Sequence, residues 1–122
     1  MPGYAQIAGL ENVYLEDSWV LGVYESDGSL SFDLEAVLTE GHPQWNQPKP
    51  GEVHCYRRLA LTFPDVRGVE WIERGTRPAT DATGEQDWGH IDTFVGDGSR
   101  YELSGDWGNV RFASDPPQLR NR

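Results

Sequence analysis

The stretch YESDGSLSFDLEAVL, residues 24–38, decides the fold class that the sequence predicts. Its apolar side chains recur at every second position, beginning with Leu30, Phe32 and Leu34. Successive side chains of a strand point to opposite faces of the sheet, so this spacing is typical of a half-buried strand. We therefore expect these three side chains in the core and the intervening Asp33 in solvent.

Turn signals and further alternating stretches predict that the rest of the chain also forms β-strands. The dipeptides Asp27-Gly28 and Asp97-Gly98 both favour the tight turn of a hairpin. The same alternation recurs in EVHCYRRLALTF, residues 52–63, and in shorter stretches near the C-terminus, whereas no window of eleven or more residues has a helical period. About seven strands result, which predicts an antiparallel sandwich or a partly closed barrel.

The domain organisation follows from length and composition. A chain of 122 residues matches the size of one domain, and we predict a single β domain over residues 1–122. An irregular N-terminal arm is expected over residues 1–16 and a frayed tail over residues 115–122. The single cysteine, Cys55, excludes an intrachain disulfide, and the N-terminus has no signal-peptide pattern, so we expect a reducing, cytoplasmic location.

The charge of the chain limits its partners. Twenty acidic residues stand against ten basic ones, which gives a formal net charge of −10. Such a surface repels the phosphates of nucleic acids and anionic lipids, so neither is expected as a partner. An acidic surface attracts a basic protein and speeds its association. The alternative is that the acidic residues only keep the protein soluble, which explains the same net charge. Apolar runs of at most three residues predict no membrane span.

Two acidic residues and two tryptophans are the candidate partner-binding residues. Asp33 and Glu35 lie two residues apart on one strand, so they share a face that a cation or a basic partner could approach. Trp45 lies in the stiff loop GHPQWNQPKPG, and Trp88 lies near the end of the polar loop GTRPATDATGEQDWG. Aromatic side chains dominate interface hot spots, so both tryptophans are candidate anchors. The alternative is that both fold back and cap the ends of the barrel.

Metal and cofactor sites have little support in the sequence. No pair of Cys or His residues has the close spacing of a zinc site, and no glycine loop opens a helix to hold a phosphate. The segment GDWGNVRF predicts instead a tight turn or bulge between two edge strands, with Trp107 packed inward. Oxygen ligands at every second position resemble a calcium loop: Asp81, Thr83, Glu85 and Asp87. The glycine position differs from that of an EF-hand, so we predict a polar turn, and neither a metal nor a cofactor is expected.

Catalytic patterns are equally weak. The chain has no Gly-x-Ser-x-Gly elbow, and Cys55 lies in an apolar stretch typical of a buried, unreactive thiol. Glycoside hydrolysis needs only two positioned carboxylates, and the candidates are Glu25, Asp33, Glu35 and Asp92. In a chain this acidic, neighbouring carboxylates are also expected by chance. We therefore predict a protein that is not an enzyme.

Several segments resemble a group of small uncharacterised bacterial proteins of about this length: YLEDSWVLGVYES, LSFDLEAVLT, PKPGEVHCYRRLALTFPDV, VEWIERG and YELSGDWGNVRF. Related small acidic β-proteins are often encoded beside polymorphic toxins and are proposed as immunity proteins. The resemblance implies a non-enzymatic role and carries no residue assignments.

Three hypotheses of function result. The first is an acidic protein-binding domain, such as an immunity or accessory protein for a basic partner, and it requires acidic residues on one exposed face. The second is a small-molecule or carbohydrate-binding β-barrel, which requires a concave apolar cavity of several hundred cubic ångströms. The third is a carboxylate-dependent hydrolase, which requires two carboxylates about 5–10 Å apart in a cleft.

Overall fold

The computed structural model describes residues 3–75, 79–80 and 86–121, which form an all-β domain as predicted. A short 3₁₀ helix, Tyr4–Gln6, precedes the first strand. The strands are β1 Val13–Ser26, β2 Ser29–Leu38, β3 Cys55–Phe63, β4 Arg67–Arg74, β5 Ala79–Thr80, β6 Gln86–Asp87, β7 Thr93–Gly96, β8 Arg100–Gly105, β9 Gly108–Ala113 and β10 Gln118–Asn121. Within these described ranges, no helix is long and apolar enough to cross a membrane.

The strands form two four-stranded antiparallel sheets. The first sheet has the order β1-β2-β3-β10, and the second has the order β4-β9-β8-β7. The short strands β5 and β6 form a separate two-stranded sheet. Of the two architectures expected from sequence, the sandwich is the one that forms, because the two sheets do not close into a barrel.

The first hairpin forms where the sequence predicts it. Asp27 and Gly28 both have positive φ angles, 48° and 77°, and they connect Ser26 directly to its partner Ser29. Positive φ at both central positions matches the twist of the flanking strands, and glycine adopts it without steric cost. This turn sets the register of β1 and β2 next to the hairpin, from the pair Ser26 and Ser29 to the pair Gly22 and Asp33.

The core lies between the sheets. Leu30, Phe32 and Leu34 have no exposed surface, which confirms the alternation predicted for β2. Aromatic rings connect the two layers: the ring centroids of Phe32 and Trp107 are 4.9 Å apart, and those of Phe63 and Phe112 are 4.8 Å apart. Edge-to-face aromatic pairs of this kind add to the stabilisation that buried apolar area supplies.

The expectation that Asp33 is exposed is wrong, because this residue is only 7% exposed. β2 lies between β1 and β3, so its outward side chains have neighbours on both sides. The partners of Asp33 are Gly22 and Ala60, and the Tyr24 side chain folds back over Gly22, whose added Cβ would lie 2.5 Å from the tyrosine oxygen. Alternation identifies the face of Asp33 correctly but not how deeply its neighbours bury it.

The chain ends are more regular than expected. β1 begins at Val13, inside the segment predicted as an irregular arm, and Leu10 and Leu15 are buried. The predicted frayed tail contains β10, which pairs with β3 from Gln118 onward. A register irregularity between Tyr14 and Trp19 breaks the period of two, so the sequence pattern does not reveal the first half of β1.

Candidate functional site

A cleft opens between β1 and the C-terminal end of β4, the two strands that form one edge of each sheet. Its volume is about 270 Å³. The aromatic and charged side chains that line it are Tyr24, Trp71, Arg74, Trp88 and Trp107, and we call this site the aromatic cleft. Among the described residues, the lining also includes residues 21–23 and Gly75. Three of the five tryptophans of the chain therefore meet in one place.

Trp107 forms the inner wall of the aromatic cleft. It lies in the turn between β8 and β9, is 1% exposed, and donates a hydrogen bond of 3.0 Å from Nε1 to the carbonyl of His90. Gly108 has a φ of 144°, and a Cβ there would lie 2.6 Å from the Glu73 carbonyl, so only glycine fits. The predicted turn with an inward Trp107 is confirmed. The expectation that it joins two edge strands is wrong, because β8 and β9 are the inner strands of the second sheet.

Trp71 and Arg74 form the wall supplied by β4. The Trp71 and Trp107 rings meet at 88° with centroids 6.1 Å apart, and the Arg74 guanidinium lies 4.5 Å from the Trp71 ring centroid. Residues three apart on a regular strand point to opposite faces. A register shift between Trp71 and Glu73 inserts one extra residue, so Trp71 and Arg74 come to the same side.

Glu25 bridges the two sheets at the mouth of the aromatic cleft. Its Oε1 accepts hydrogen bonds from Arg74 NH1 at 2.7 Å and from Trp71 Nε1 at 3.0 Å. We call this the Glu25–Arg74 bridge. The side chains of Arg74 and Glu25 are 53% and 39% exposed, so solvent screens the pair and its contribution to folding is small. Its main effect is to hold the Trp71 ring and the guanidinium in a defined position.

Trp88 is held against the free edge of β1 by its backbone. The Trp88 N–H donates to the Val20 carbonyl at 2.7 Å, and the Val20 N–H donates to the Gly89 carbonyl at 2.7 Å. Asp87 accepts a hydrogen bond of 2.8 Å from the Gly89 N–H, so its carboxylate supports this turn. The half-buried indole of Trp88 then lines the cleft. The other residues of the predicted calcium pattern, Asp81, Thr83 and Glu85, lie outside the described residues.

The four residues predicted to bind a partner occupy different places. Both tryptophans pack half-buried rings against the core, and Trp88 also lines the aromatic cleft, whereas Trp45 does not. Asp33 and Glu35 lie on the outer surface of the first sheet, where Asp33 is buried and Glu35 is half-buried. Sequence reasoning missed Trp71 and Arg74 as site residues, because only the bulge in β4 places them together.

The outer surface of the first sheet is the second notable feature. Glu35 lies directly between Trp19 and Arg58, and Val37 between Tyr14 and Tyr56. We call this surface, defined by Tyr14, Trp19, Glu35, Tyr56 and Arg58, the outer aromatic face. Tyr14 and Trp19 are among the exposed large apolar side chains of the described residues.

Three acidic side chains lie near Tyr56 on this face. Burial raises the pKa of the Tyr56 hydroxyl, and the charges of Glu35, Asp17 and Glu52 raise this pKa further. Asp17 also lies 3.4 Å from His54, whose ring meets Tyr56 edge-on. Aromatic and acidic side chains therefore share this part of the surface.

Catalytic and metal-binding arrangements find little support among the described residues. No carboxylate belongs to the described lining of the aromatic cleft, and Glu25 reaches its mouth from the side. His90 is engaged with the carbonyl of Ser18 at 2.6 Å and packs on Trp19 with ring centroids 4.2 Å apart. Within the part of the chain that the structure describes, no three His, Cys, Asp or Glu side chains are placed to hold a metal ion.

Comparison with known proteins yields no match to a protein-family model, to a curated protein or to a solved structure. The site is therefore interpreted from its own geometry.

Proposed function

We propose that this protein is a binding domain for a small organic molecule, which it holds in the aromatic cleft. The observation that carries the proposal is the meeting of Trp71, Trp88 and Trp107 around one cavity of about 270 Å³. Sites for small ligands are concave and combine aromatic and apolar groups with polar groups that orient the ligand. The Glu25–Arg74 bridge provides such polar groups at the mouth. The accessible surface of the aromatic cleft is more polar than apolar, so a ligand that offers several hydrogen-bonding groups suits it.

The size and exposure of the cleft support a small ligand. Its volume of about 270 Å³ lies just below the range of roughly 300–1,000 Å³ for pockets that hold drug-sized ligands, so it suits a smaller molecule. Tyr24 is 53% exposed beside the cleft, although the fold gains little from an aromatic ring held in solvent. Aromatic groups around a concave surface are typical of a recognition site.

A carboxylate-dependent hydrolase is less well supported. That mechanism needs two carboxyl groups on either side of the substrate, one of which protonates the leaving group. Among the described residues near the aromatic cleft, Glu25 is the carboxylate that an ion pair brings to its mouth, and its Oε1 is shared by Arg74 and Trp71. We therefore favour binding without catalysis.

Tryptophan fluorescence and NMR titration against a library of neutral small molecules test the proposal. We expect at least one saturable ligand, and we expect Trp88→Ala to weaken its binding by about tenfold or more. Trp45→Ala is the matched control, because Trp45 is also half-buried in a loop but lies away from the cleft. Thermal melts establish that both variants fold. Equal affinity in the wild type and in folded Trp88→Ala would contradict the proposal.

A second candidate function is the binding of a basic protein to the outer aromatic face, as expected of an immunity or accessory protein. The observation that favours it is the grouping of the acidic side chains of Asp17, Glu35 and Glu52 around Tyr56, beside exposed aromatic side chains. Opposite charge across an interface speeds association, and aromatic groups supply contact area. The buried Asp33 has no part in this version of the hypothesis.

Association kinetics with the basic product of a neighbouring gene test this second candidate. Asp17→Asn with Glu35→Gln should slow association at low salt and reduce its salt dependence. Asp92→Asn with Glu102→Gln is the control, because both residues are exposed and belong to the other half of the sandwich. The control changes the net charge equally. If both double variants slow association to the same degree, the change in net charge causes the slower association, and the outer aromatic face is not the interface.

A further inference from the structure

Among the described residues, the Glu25–Arg74 bridge has hydrogen-bonding capacity left at the mouth of the aromatic cleft. Both hydrogen bonds to Glu25 end on Oε1. In residues 3–75, 79–80 and 86–121, no group donates to Glu25 Oε2, and Arg74 makes its side-chain hydrogen bond through NH1. A guanidinium carries further N–H donors, and a carboxylate oxygen accepts. An acceptor and several donors therefore stand side by side next to the aromatic walls.

On this basis, which rests on the proposed function, we infer that the ligand is a neutral sugar whose adjacent hydroxyls bind Glu25 and Arg74 together. A hydroxyl both donates and accepts. One hydroxyl of a vicinal pair donates to Glu25 Oε2, and its neighbour accepts from the Arg74 guanidinium. The C–H faces of the sugar ring supply the apolar surface that packs on the aromatic walls, in the same way that other apolar groups pack on indole rings.

Charge argues for a neutral ligand. The chain has a net charge of −10, which opposes the approach of phosphorylated or carboxylated ligands. The charge of Arg74 is compensated by Glu25 at 2.7 Å. A cationic ligand is also disfavoured. The Arg74 guanidinium already occupies the cation position over the Trp71 ring, 4.5 Å from the ring centroid.

The arrangement of the walls argues for a puckered ring rather than a flat one. Trp71 and Trp107 meet at 88°, so these two rings form a corner and not a parallel slot. A flat heteroaromatic ring gains most from parallel faces, and one face of Trp71 is covered by Arg74. Trp107 is 1% exposed and closes the corner from behind, so a ligand meets Tyr24, Trp71 and Trp88. A sugar ring, which has apolar C–H groups on its faces and hydroxyls around its rim, packs on these accessible side chains without a parallel slot.

Calorimetric titration with defined probes tests the inference. The probes are neutral oligosaccharides of glucose, galactose and mannose, the corresponding sugars lacking one hydroxyl of the pair, and two flat neutral molecules, adenosine and indole. We expect one oligosaccharide series to bind, and its deoxy analogue to bind about tenfold more weakly or worse. Glu25→Gln and Arg74→Lys should each weaken sugar binding by at least about tenfold. Retained indole binding would show that the cleft of each variant is intact.

Glu70→Gln is the matched control. It breaks another exposed Glu–Arg pair on β4, with Arg111 at 3.2 Å, away from the cleft lining. Sugar affinity in this variant should equal that of the wild type.

The possible failures are distinguishable. If adenosine or indole binds in a Trp88-dependent manner and no sugar binds, the inference is overturned and the proposed function stands. If a sugar binds but Glu25→Gln and Arg74→Lys leave its affinity unchanged, the assignment of the hydroxyl pair to this bridge is wrong. If no probe binds, or if binding persists in folded Trp88→Ala, both the inference and the proposed function are overturned.

Discussion

Arg74 on β4 donates a hydrogen bond of 2.7 Å to Glu25 on β1, and these residues are 49 positions apart in the chain. The two strands belong to different sheets, so this ion pair connects the layers at the mouth of the aromatic cleft. The pair also orients Trp71, whose indole N–H shares the same carboxylate oxygen. Its position suits recognition better than stabilisation, because half-exposed pairs contribute little to folding.

Replacement of Glu25 should therefore have little effect on folding. We expect Glu25→Ala to lower the free energy of unfolding by no more than about 1 kcal/mol, as measured by urea denaturation. Glu70→Ala serves as the comparison, because its pair with Arg111 has similar exposure but lies within one sheet. A loss above about 2 kcal/mol in Glu25→Ala alone would mean that the bridge holds the two sheets together.

Truncation of Phe32 should be strongly destabilising. This side chain is fully buried and contacts Trp107 and Phe63, so Phe32→Ala removes contacts in both sheets and leaves a cavity. We expect a loss of about 3–5 kcal/mol in urea denaturation. Val53→Ala is the control, because Val53 is 82% exposed, and its change should stay within about 0.5 kcal/mol. A loss below about 1 kcal/mol in Phe32→Ala would place this ring outside the core.

Asp33 and Glu35 should respond differently to removal of their charges, although they share one face of β2. Asp33 is buried, so Asp33→Asn disturbs a polar contact away from water and should cost about 1–3 kcal/mol. Glu35 is half-exposed, and Glu35→Gln should stay within about 0.5 kcal/mol. Guanidinium denaturation of the two single variants measures the difference. Equal, small effects would mean that Asp33 is solvated in solution.

The turn between β7 and β8 should contribute to pH-dependent stability. Backbone N–H groups of Arg100 and Ser99 donate to the Asp97 carboxylate and hold the pKa of this group below its usual value of 3.8. A lowered pKa in the folded state stabilises the fold at every pH above 3.8, and this stabilisation is lost as the pH falls through the lowered pKa.

Melting temperatures of the wild type and of Asp97→Asn, measured from neutral pH downward, check this sign. The wild type should melt higher at neutral pH, and the difference between the two proteins should disappear in strong acid. A difference that stays constant over the whole range would show that the ionisation of Asp97 is not coupled to folding.

The sequence by itself determines the strands and the faces that enter the core. Leu30, Phe32 and Leu34 are buried as their spacing predicts, and the Asp27-Gly28 turn forms at the expected place. Both features depend on local physics: side chains alternate along an extended chain, and few residues adopt positive φ. Such properties need only neighbouring residues, so they can be derived without knowledge of the fold.

Tertiary structure alone decides the depth of burial and the site. Asp33 is buried because β2 is an inner strand and Tyr24 folds over Gly22. The alternation of side chains along β2 predicts neither of these features. The aromatic cleft depends on the bulge in β4 and on the approach of β1 to β4 at the edge of the sandwich. A bulge shifts every later side chain to the other face, and contacts between distant segments depend on how the whole chain packs. The residues of the cleft are therefore visible in the sequence, but their meeting is a property of the packed sheets.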